Sequence, residues 1–258
     1  MTEQATYSLF AKFYDAYVGD FARDIPLYLS LASNTHLPIL EIGCGSGRVL
    51  LPLLRARHVV TGVDISEEML RLAGDKLQKN HLIEKCTLLN HNFTDSALPQ
   101  EFGLALVTFY TFNYLLSQDH QMAFLTHIAE SLKPGSIIVL HLFYPSVLLH
   151  PETAGQWIDK GQFLIDGETV VLQDFRRMLD EHTEERVQAF LFKSGHREEI
   201  RTLRHYVTQT EIYQLLISAG FVSPVLIEDF KWQCQFPLRP DTETTKEFVV
   251  VAQNRIIP

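Results

Sequence analysis

Short apolar runs alternate with amphipathic segments through the first 145 residues of the chain. Continuous apolar runs of this length are typical of strands that are buried on both faces of a sheet. The segments between them carry apolar residues at helical spacing. This alternation predicts an α/β fold with a doubly wound, mostly parallel sheet. The five predicted strands comprise residues 39–42, 59–64, 86–89, 104–109 and 137–143.

The pattern differs at both ends of this region. Residues 7–33 show the spacing of two helices, the second beginning near Asp24, and apolar or aromatic side chains of the first are Leu9, Phe10, Phe13, Tyr14 and Tyr17. After Pro145, apolar and polar residues alternate, which predicts an antiparallel β insertion after strand five. Its strands are predicted over 168–179, 186–192 and 198–207, followed by a helix over 210–219 and strands over 222–232 and 246–252.

These patterns predict three parts of the chain. Residues 1–35 form an N-terminal helical segment or lid, and residues 146–209 form an antiparallel cap over the substrate. The α/β core comprises residues 36–145 and 210–254. The turn Lys133-Pro134-Gly135 is expected to separate the helix over 119–132 from the fifth strand.

Composition and charge limit the classes of partner. The chain has 258 residues and a formal net charge of −9, so its overall field repels phosphate backbones and argues against nucleic acid. Three cysteines without ligand-like spacing indicate neither a disulfide framework nor a metal site. No apolar run approaches the ~20 residues of a membrane span. We therefore expect a soluble, cytoplasmic protein, a monomer or homodimer, acting on a small molecule.

The segment Glu41–Gly47 is the first chemical motif. It follows a predicted strand and opens a helix, and Gly43 and Gly45 let the backbone turn sharply and approach a ligand without a Cβ in the way. The spacing is G-x-G-x-G, whereas a dinucleotide fingerprint is G-x-G-x-x-G. The carboxylate of Glu41 suits an ammonium group and would repel a pyrophosphate. The motif therefore favours a ligand with a cationic group over a dinucleotide.

Three further positions follow the ends of predicted strands, where ligands bind in open α/β sheets. Asp64 ends the second strand, and a carboxylate there can accept both hydroxyls of a ribose. Asn92 and Phe93 follow the third strand, where an amide and an aromatic ring could bind and flank an adenine. Phe109 and Tyr110 end the fourth strand.

Together these motifs resemble the class I S-adenosylmethionine-dependent methyltransferase family, which has a Rossmann-like fold. The resemblance covers residues 36–144 and includes Leu40–Gly47, Gly62–Ser66, Met69-Leu70 and Leu132–Gly135. It implies that the glycine loop holds the methionine part of S-adenosylmethionine and that Asp64 binds its ribose. The family's acidic residue at the adenine corresponds to Asn92 here. The cofactor-binding residues expected on this basis are Tyr14, Glu41, Gly43, Cys44, Gly45, Arg48, Asp64, Ile65, Met69, Asn92, Phe93 and Phe109.

A second resemblance is to N,N-dimethyltransferases of nucleotide-linked amino sugars and related small-molecule methyltransferases. It rests on Phe13-Tyr14-Asp15-Ala16-Tyr17, on the predicted antiparallel insertion, and on His205-Tyr206-Val207-Thr208. The resemblance implies that Tyr14 closes over the methionine end of the cofactor. The position of that family's base-like histidine is occupied by Tyr114.

Methyl transfer from a sulfonium needs an aligned acceptor and, for an amine or hydroxyl, a base. Polar side chains at the carboxyl ends of the fourth and fifth strands and in the insertion are the candidates. We predict Tyr114, His141 and Tyr14 as catalytic residues. Residues predicted to bind the acceptor are Tyr110, Asn113, Tyr144 and His205.

The predicted function is transfer of a methyl group from S-adenosylmethionine to a nitrogen or oxygen of a small molecule. The acidic balance of the chain fits a neutral or cationic acceptor slightly better than a polyanion. Three alternatives stay open from the sequence: a peptide or protein methyltransferase, a non-catalytic S-adenosylmethionine-binding module, and an NAD(P)-dependent oxidoreductase.

Overall fold

A computed structural model describes residues 21–99, 101–145, 150–165, 167–227 and 247–255, together with residues 11, 13–16, 18, 148 and 230. Leu9, Phe10 and Tyr17 of the predicted first helix lie outside the described residues, whereas residues 13–16 are helical. The helices are α1 (Ile25–Ala32), α2 (Leu50–Arg55), α3 (Glu67–Lys79), α4 (Gln118–Ser131) and α5 (Gln209–Ser218). Short 3₁₀ turns comprise Ile83–Lys85, Thr111–Tyr114 and Pro151–Thr153.

A seven-stranded sheet forms the centre of the fold. Its strands are β1 (Ile39–Ile42), β2 (Val60–Asp64), β3 (Cys86–Asn90), β4 (Phe102–Val107), β5 (Leu132–Phe143), β10 (Phe221–Ile227) and β11 (Glu247–Asn254). The spatial order is β10-β11-β5-β4-β1-β2-β3. The pairs β5–β4, β4–β1, β1–β2 and β2–β3 are parallel. Strand β11 pairs antiparallel with both β5 and β10. The predicted mostly parallel α/β sheet is confirmed.

Helices cover both faces of this sheet, as its apolar strands require. All residues of β1 and β4 are buried, because these two strands lie at the centre. Side chains of α4 and α5, such as Leu125 and Leu216, pack in the core on one face. Side chains of α1, α2 and α3, such as Tyr28 and Leu53, pack in the core on the other face. The carboxyl ends of β1, β2 and β4 are thereby held at one edge in fixed register.

The predicted antiparallel insertion after strand five is also confirmed, and it has four strands. They are β6 (Trp157–Ile165), β7 (Glu168–Met178), β8 (Thr183–Phe192) and β9 (Arg197–His205), in that spatial order. We call these four strands the cap sheet. The sequence pattern missed β6, because this edge strand is mostly exposed and lacks a buried apolar face. Phe13 of the N-terminal segment stacks on Phe190 of β8, with ring centroids 3.9 Å apart.

Two element boundaries differ from the prediction. Residues 133–135 belong to β5 and are not a separate turn; Gly135 has φ +85°, and the β4–β5 register shifts between Phe102 and Leu104. The strand predicted over 222–232 is described over Phe221–Ile227, and residues 228–229 and 231–246 lie outside the described residues. In the described part of the chain, no helix has the length and apolar character needed to cross a membrane.

Candidate active site

The glycine loop between β1 and α2 contains three residues with positive φ. Gly43, Gly45 and Gly47 have φ of +69°, +53° and +82°, a conformation that side chains with a Cβ rarely adopt. A Cβ at Gly43 would lie 2.3 Å from Thr111 Oγ1, so this glycine is also required by a close neighbour within the protein. The backbone N–H groups of Gly43 and Cys44 donate to the carbonyl of Val63 at 2.8 and 3.0 Å. The loop is therefore fixed against the end of β2.

Asp64 joins this loop to the following helix. Its Oδ2 accepts the N–H of Gly45 at 2.8 Å, and its Oδ1 accepts the N–H of Ser66 at 2.9 Å. Burial raises the pKa of Asp64, and these backbone hydrogen bonds oppose that rise. The carboxylate also lines a cavity at the carboxyl ends of the parallel strands. The sequence predicted that Asp64 binds a ligand. It did not predict the hydrogen bond from Gly45 by which Asp64 fixes the glycine loop.

Glu41 lies inside β1 and is almost completely buried, with 1% of its surface exposed. Its Oε1 accepts a long hydrogen bond of 3.4 Å from Thr108, and its Oε2 has no hydrogen-bond partner among the described residues. Burial raises the pKa of this carboxyl to about 8. A buried carboxyl with an unsatisfied oxygen fits a nearby cationic ligand, because a positive charge would favour its ionised form.

The cavity has a volume of about 780 Å³, within the usual range for a small-molecule site. Its wall combines the glycine loop, the ends of β2 and β4, the 3₁₀ turn after β4, and the cap sheet. Of the predicted site residues, the structure brings twelve to this wall: Tyr14, Gly43, Gly45, Asp64, Ile65, Met69, Asn92, Phe93, Phe109, Tyr110, Tyr114 and Tyr144.

Asn92 and Phe93 line the end of the cavity beyond β3. The Asn92 side-chain oxygen accepts the N–H of Thr94 at 3.0 Å, and its amide donates to Asp95 at 3.3 Å. The side chain therefore closes a local turn while it lines the cavity. Contact with an adenine stays a prediction.

Phe109 and Tyr110 turn the chain at the end of β4. Both have positive φ, +48° and +70°, which is unusual for aromatic residues and marks a locally strained backbone. The Tyr110 N–H donates to the carbonyl of His141 at 3.1 Å, and the Tyr110 hydroxyl donates to Glu247. These contacts hold both rings on the cavity wall.

Three other tyrosines line the cavity. The ring of Tyr14 lies 3.7 Å from where a Cβ on Gly45 would be, so Tyr14 covers the glycine loop. Burial raises the pKa of Tyr14 further above its usual value, which keeps its hydroxyl protonated at neutral pH. Tyr114 ends the 3₁₀ turn, and Tyr144 follows β5, where it packs edge-on against Tyr206 with ring centroids 4.9 Å apart.

His141 does not reach the cavity wall, although it was predicted to be catalytic. It is fully buried, with Nδ1 at 3.3 Å from the Tyr28 hydroxyl and Nε2 at 3.0 Å from Glu247 Oε2. Burial, reinforced by the positive charges of Arg48 and Arg23, lowers its pKa to about 3. The ring is therefore neutral at physiological pH and contacts the wall residue Glu247 from behind. Its geometry suits positioning of Glu247 better than direct proton transfer.

Arg48 and Cys44 do not line the cavity wall, and their predicted contact with a cofactor stays a prediction. Arg48 makes a two-point ion pair with the fully buried Asp24, with both N–O distances 2.7 Å, and donates to the Phe21 carbonyl at 3.1 Å. The Cys44 side chain is buried, and its Sγ lies 3.1 Å from where a Cβ on Gly62 would be. Both side chains pack the loop from within the protein.

Asn113 and His205 were predicted to bind the acceptor, but neither side chain lines the cavity. The Asn113 amide donates to the His205 carbonyl at 2.8 Å, and its oxygen accepts the N–H of Phe143 at 3.4 Å. Asn113 thus connects the 3₁₀ turn to β5 and β9. The ring of His205 stacks on His182, with centroids 5.3 Å apart. Strand alternation and loop direction decide which polar side chains face the cavity, and contact of these two residues with an acceptor stays a prediction.

Several wall residues were missed by the sequence analysis. The charged ones are Arg23, Arg176, Arg186, Arg204 and Glu247. Arg176 pairs with Arg186, and Arg204 pairs with Glu184, which lies two residues before Arg186 on β8, so the three arginines lie on one face of the cap sheet. Their alternation with apolar residues was visible, but it is equally typical of a solvated strand face. Glu247 comes from the start of β11, far along the chain from the other wall residues.

Comparison with known proteins identifies the domain. A protein-family model described as a methyltransferase domain matches residues 39–135, which include the glycine loop, Asp64 and the β4–β5 region. A dTDP-3-amino-3,4,6-trideoxy-alpha-D-glucopyranose N,N-dimethyltransferase of Streptomyces venezuelae is 27% identical over 133 residues, covering 51% of this chain and 52% of the relative. The chain spans about half the length of the curated relatives that it matches.

Solved structures share the fold over almost the whole chain. The CcbJ methyltransferase from Streptomyces caelestis has a TM-score of 0.79 at 24% identity and covers 97% of this chain and 98% of its own. CalS10, an amino pentose methyltransferase from Micromonospora echinaspora solved with bound S-adenosylmethionine, has a TM-score of 0.69 at 19% identity, with 94% and 96% covered. Residues 39–135 thus match a methyltransferase domain, and the chain has the fold of S-adenosylmethionine-dependent methyltransferases.

Proposed function

We propose that this protein transfers the methyl group of S-adenosylmethionine to a nitrogen or oxygen of a small-molecule acceptor. The observation that carries the proposal is the cavity of about 780 Å³, whose wall combines the glycine loop and Asp64 with polar side chains of the cap sheet. One end has the donor-binding motif of the family. The other end has room and hydrogen-bonding groups for a second molecule.

The residues at the glycine loop fit the cofactor. The unsatisfied Oε2 of Glu41 lies in β1 just before the loop and suits the cofactor's ammonium group. Asp64 is the wall carboxylate suited to the ribose hydroxyls, since each of its oxygens has one backbone donor and retains accepting capacity. Ile65 and Met69 offer apolar surface beside it for the adenine.

Bound S-adenosylmethionine supplies an electrophilic methyl carbon, so the protein must align the acceptor, exclude water and manage a proton. Tyr14 covers the loop, and Tyr114 lines the wall on the turn after β4. Glu247 accepts from Tyr110 and contacts His141, so its carboxylate is held in one orientation on the wall. We infer that Tyr14 and Tyr114 orient the acceptor. Glu247 is the wall group best suited to receive the proton that the acceptor releases.

A small acceptor fits better than a polypeptide. The cap sheet lies over the carboxyl ends of the parallel strands, with Arg204 of β9 contacting Phe143 of β5. This arrangement covers the acceptor end of the cavity, whereas an extended peptide needs an open groove. Two of the proteins named above, the N,N-dimethyltransferase of Streptomyces venezuelae and CalS10, act on amino sugars according to their descriptions, which supports a small polar acceptor for this chain.

The proposal is tested by binding and turnover measured on the same protein. S-adenosylhomocysteine should bind with a well-defined heat in calorimetry, and NADH should not. Gly45→Val should abolish this binding, because φ of +53° is strained for a β-branched residue. A panel of amines and hydroxyl compounds with methyl-labelled S-adenosylmethionine should then yield labelled product. Tight NADH binding without S-adenosylhomocysteine binding would refute the cofactor site.

A further inference from the structure

Three arginines share one face of the cap sheet and line the cavity. Arg176 of β7 lies directly opposite Arg186 of β8 in the antiparallel register, and Arg204 of β9 lies opposite Glu184. All three side chains are on the cavity wall. We call Arg176, Arg186 and Arg204 the arginine face. Like charges directly opposite each other destabilise a sheet unless an anion compensates them, so this pairing needs an explanation.

Two carboxylates of the cap sheet pair with the arginine face. Asp174 accepts from Arg176 at 2.6 Å and from Arg186 at 2.7 Å. Glu184 accepts from Arg204, with an Arg176 nitrogen 3.9 Å away. Within the described cap sheet, this cluster therefore contains three cations and two anions. Burial, followed by repulsion from Arg186 and Arg204, lowers the pKa of Arg176.

Arg204 of the arginine face has a buried hydrogen-bond donor that no described residue accepts. It is only 4% exposed, and its Nε has no hydrogen-bond partner among the described residues. Its guanidinium lies over the Phe143 ring, 4.1 Å from the ring centroid, which fixes its plane. A buried guanidinium donor without an acceptor is costly, and a ligand oxyanion would satisfy it.

We propose that the arginine face binds an anionic group, a phosphate or a carboxylate, on the acceptor molecule. This inference rests on the proposed function, since it names the class of acceptor for the same cavity. A guanidinium binds either oxyanion through paired N–H donors, so both share the recognition chemistry. The acceptor would carry its anion at the cap sheet and present its nitrogen or oxygen towards the glycine loop.

The charged groups on the cavity wall favour an anionic acceptor, whereas the net charge of the whole chain favours a neutral or cationic one. The net charge of −9 favoured a neutral or cationic acceptor. The charged groups on the described wall are, however, four arginines against the two carboxylates of Asp64 and Glu247. One of the four, Arg23, pairs with Glu247. The guanidinium groups that face the cavity can therefore bind an anion even though the chain as a whole is acidic.

Ligand-observed NMR titrations with matched probes test this proposal. Phenyl phosphate, benzoate and neutral benzamide are added separately to protein saturated with S-adenosylhomocysteine, so that the donor end is filled. Phenyl phosphate, benzoate or both should bind, benzamide should not, and the affinity of a bound anion should fall as salt increases. Binding of phenyl phosphate alone identifies a phosphate site, and binding of benzoate alone identifies a carboxylate site.

Variants locate the bound anion. Arg204→Met should weaken binding of the anionic probe at least about tenfold, the loss of one charge-assisted hydrogen bond. The control is Arg201→Met, on the opposite face of β9, where Arg201 is exposed and pairs with Glu185; it should leave the affinity unchanged. If Arg204→Met does not fold, Arg204→Lys keeps the charge and loses the planar donor pair, and it should also bind more weakly.

Two results would overturn the proposal: equal binding of benzamide and the anions, or anion binding that neither Arg204 variant changes. Affinity for S-adenosylhomocysteine is measured first on every protein. Its absence in the wild type would refute the proposed function. Retained affinity without anion preference refutes the anionic acceptor alone.

Discussion

Glu41→Gln should stabilise the ligand-free protein at neutral pH and above. Burial raises the pKa of Glu41 to about 8, from an ordinary value of 4.5. An acid whose pKa is raised by folding holds its proton more tightly in the native state. Its stabilising effect is therefore fully present below pH 4.5 and is lost as the pH rises towards 8. Glutamine has nearly the same shape and does not titrate.

The magnitude follows from that pH window. Each pH unit between 4.5 and 8 lowers the free energy of unfolding by about 1.4 kcal/mol. The accumulated loss is about 3 kcal/mol at pH 7, and about 5 kcal/mol over the whole window. The Gln variant should lack this loss, so the difference between the two proteins should be small at pH 5 and grow steadily towards pH 8.

Urea unfolding followed by circular dichroism at several pH values measures this difference. Glu130→Gln, at an exposed position of α4, is the control and should follow the wild type at every pH. Parallel stability profiles for wild type and Glu41→Gln would refute the reasoning, because they would mean that Glu41 is already ionised in the folded protein at neutral pH.

The same carboxyl couples cofactor binding to pH. If the ammonium group of the ligand favours ionised Glu41, binding releases a proton, and affinity for S-adenosylhomocysteine should rise between pH 6 and 8. Calorimetry in buffers with different ionisation heats counts that proton. The release should disappear in Glu41→Gln.

Three further substitutions test the site. Asp64→Ala should weaken S-adenosylhomocysteine binding by about 1.5–3 kcal/mol, since a charged acceptor is lost; an unchanged dissociation constant in calorimetry would remove Asp64 from the site. Arg48→Met should lower the free energy of unfolding by about 3–5 kcal/mol, because it leaves Asp24 buried without its partner; urea unfolding unaltered from wild type would contradict this. Gly43→Ala should be destabilised by its contact with Thr111, and adding Thr111→Gly should recover part of the loss in melting temperature; no recovery would show that the strained φ alone is responsible.

Much of the fold could be predicted from the sequence, because the strands that are buried in the structure are continuous apolar runs in the sequence. The wholly buried runs of β1 and β4 appeared as continuous apolar segments. The edge strand β6 was missed because exposed edge strands carry little apolar periodicity. The positions of Gly43, Gly45 and Asp64 on the cavity wall agree with the sequence analysis, because these residues lie at the carboxyl ends of predicted parallel strands.

The acceptor end could not be predicted in the same way. Whether a polar residue of β9 faces the cavity depends on strand register, which separates Arg204 from its neighbour His205. His141 lies near the carboxyl end of β5, a position typical of ligand-binding residues, but its neighbours Tyr28 and Glu247 enclose it. Such contacts join residues more than a hundred positions apart, and no local pattern encodes them.

The position of β11 has a consequence for how the protein acquires its cavity during synthesis. This strand lies between β5 and β10, so the order in which the strands leave the ribosome differs from their order in space. Until residues 247–254 emerge, β5 has an unpaired edge and the cavity lacks Glu247. Pairings this distant in sequence close late and slowly. A nascent chain could therefore complete the glycine loop and bind the cofactor well before it has a finished acceptor site.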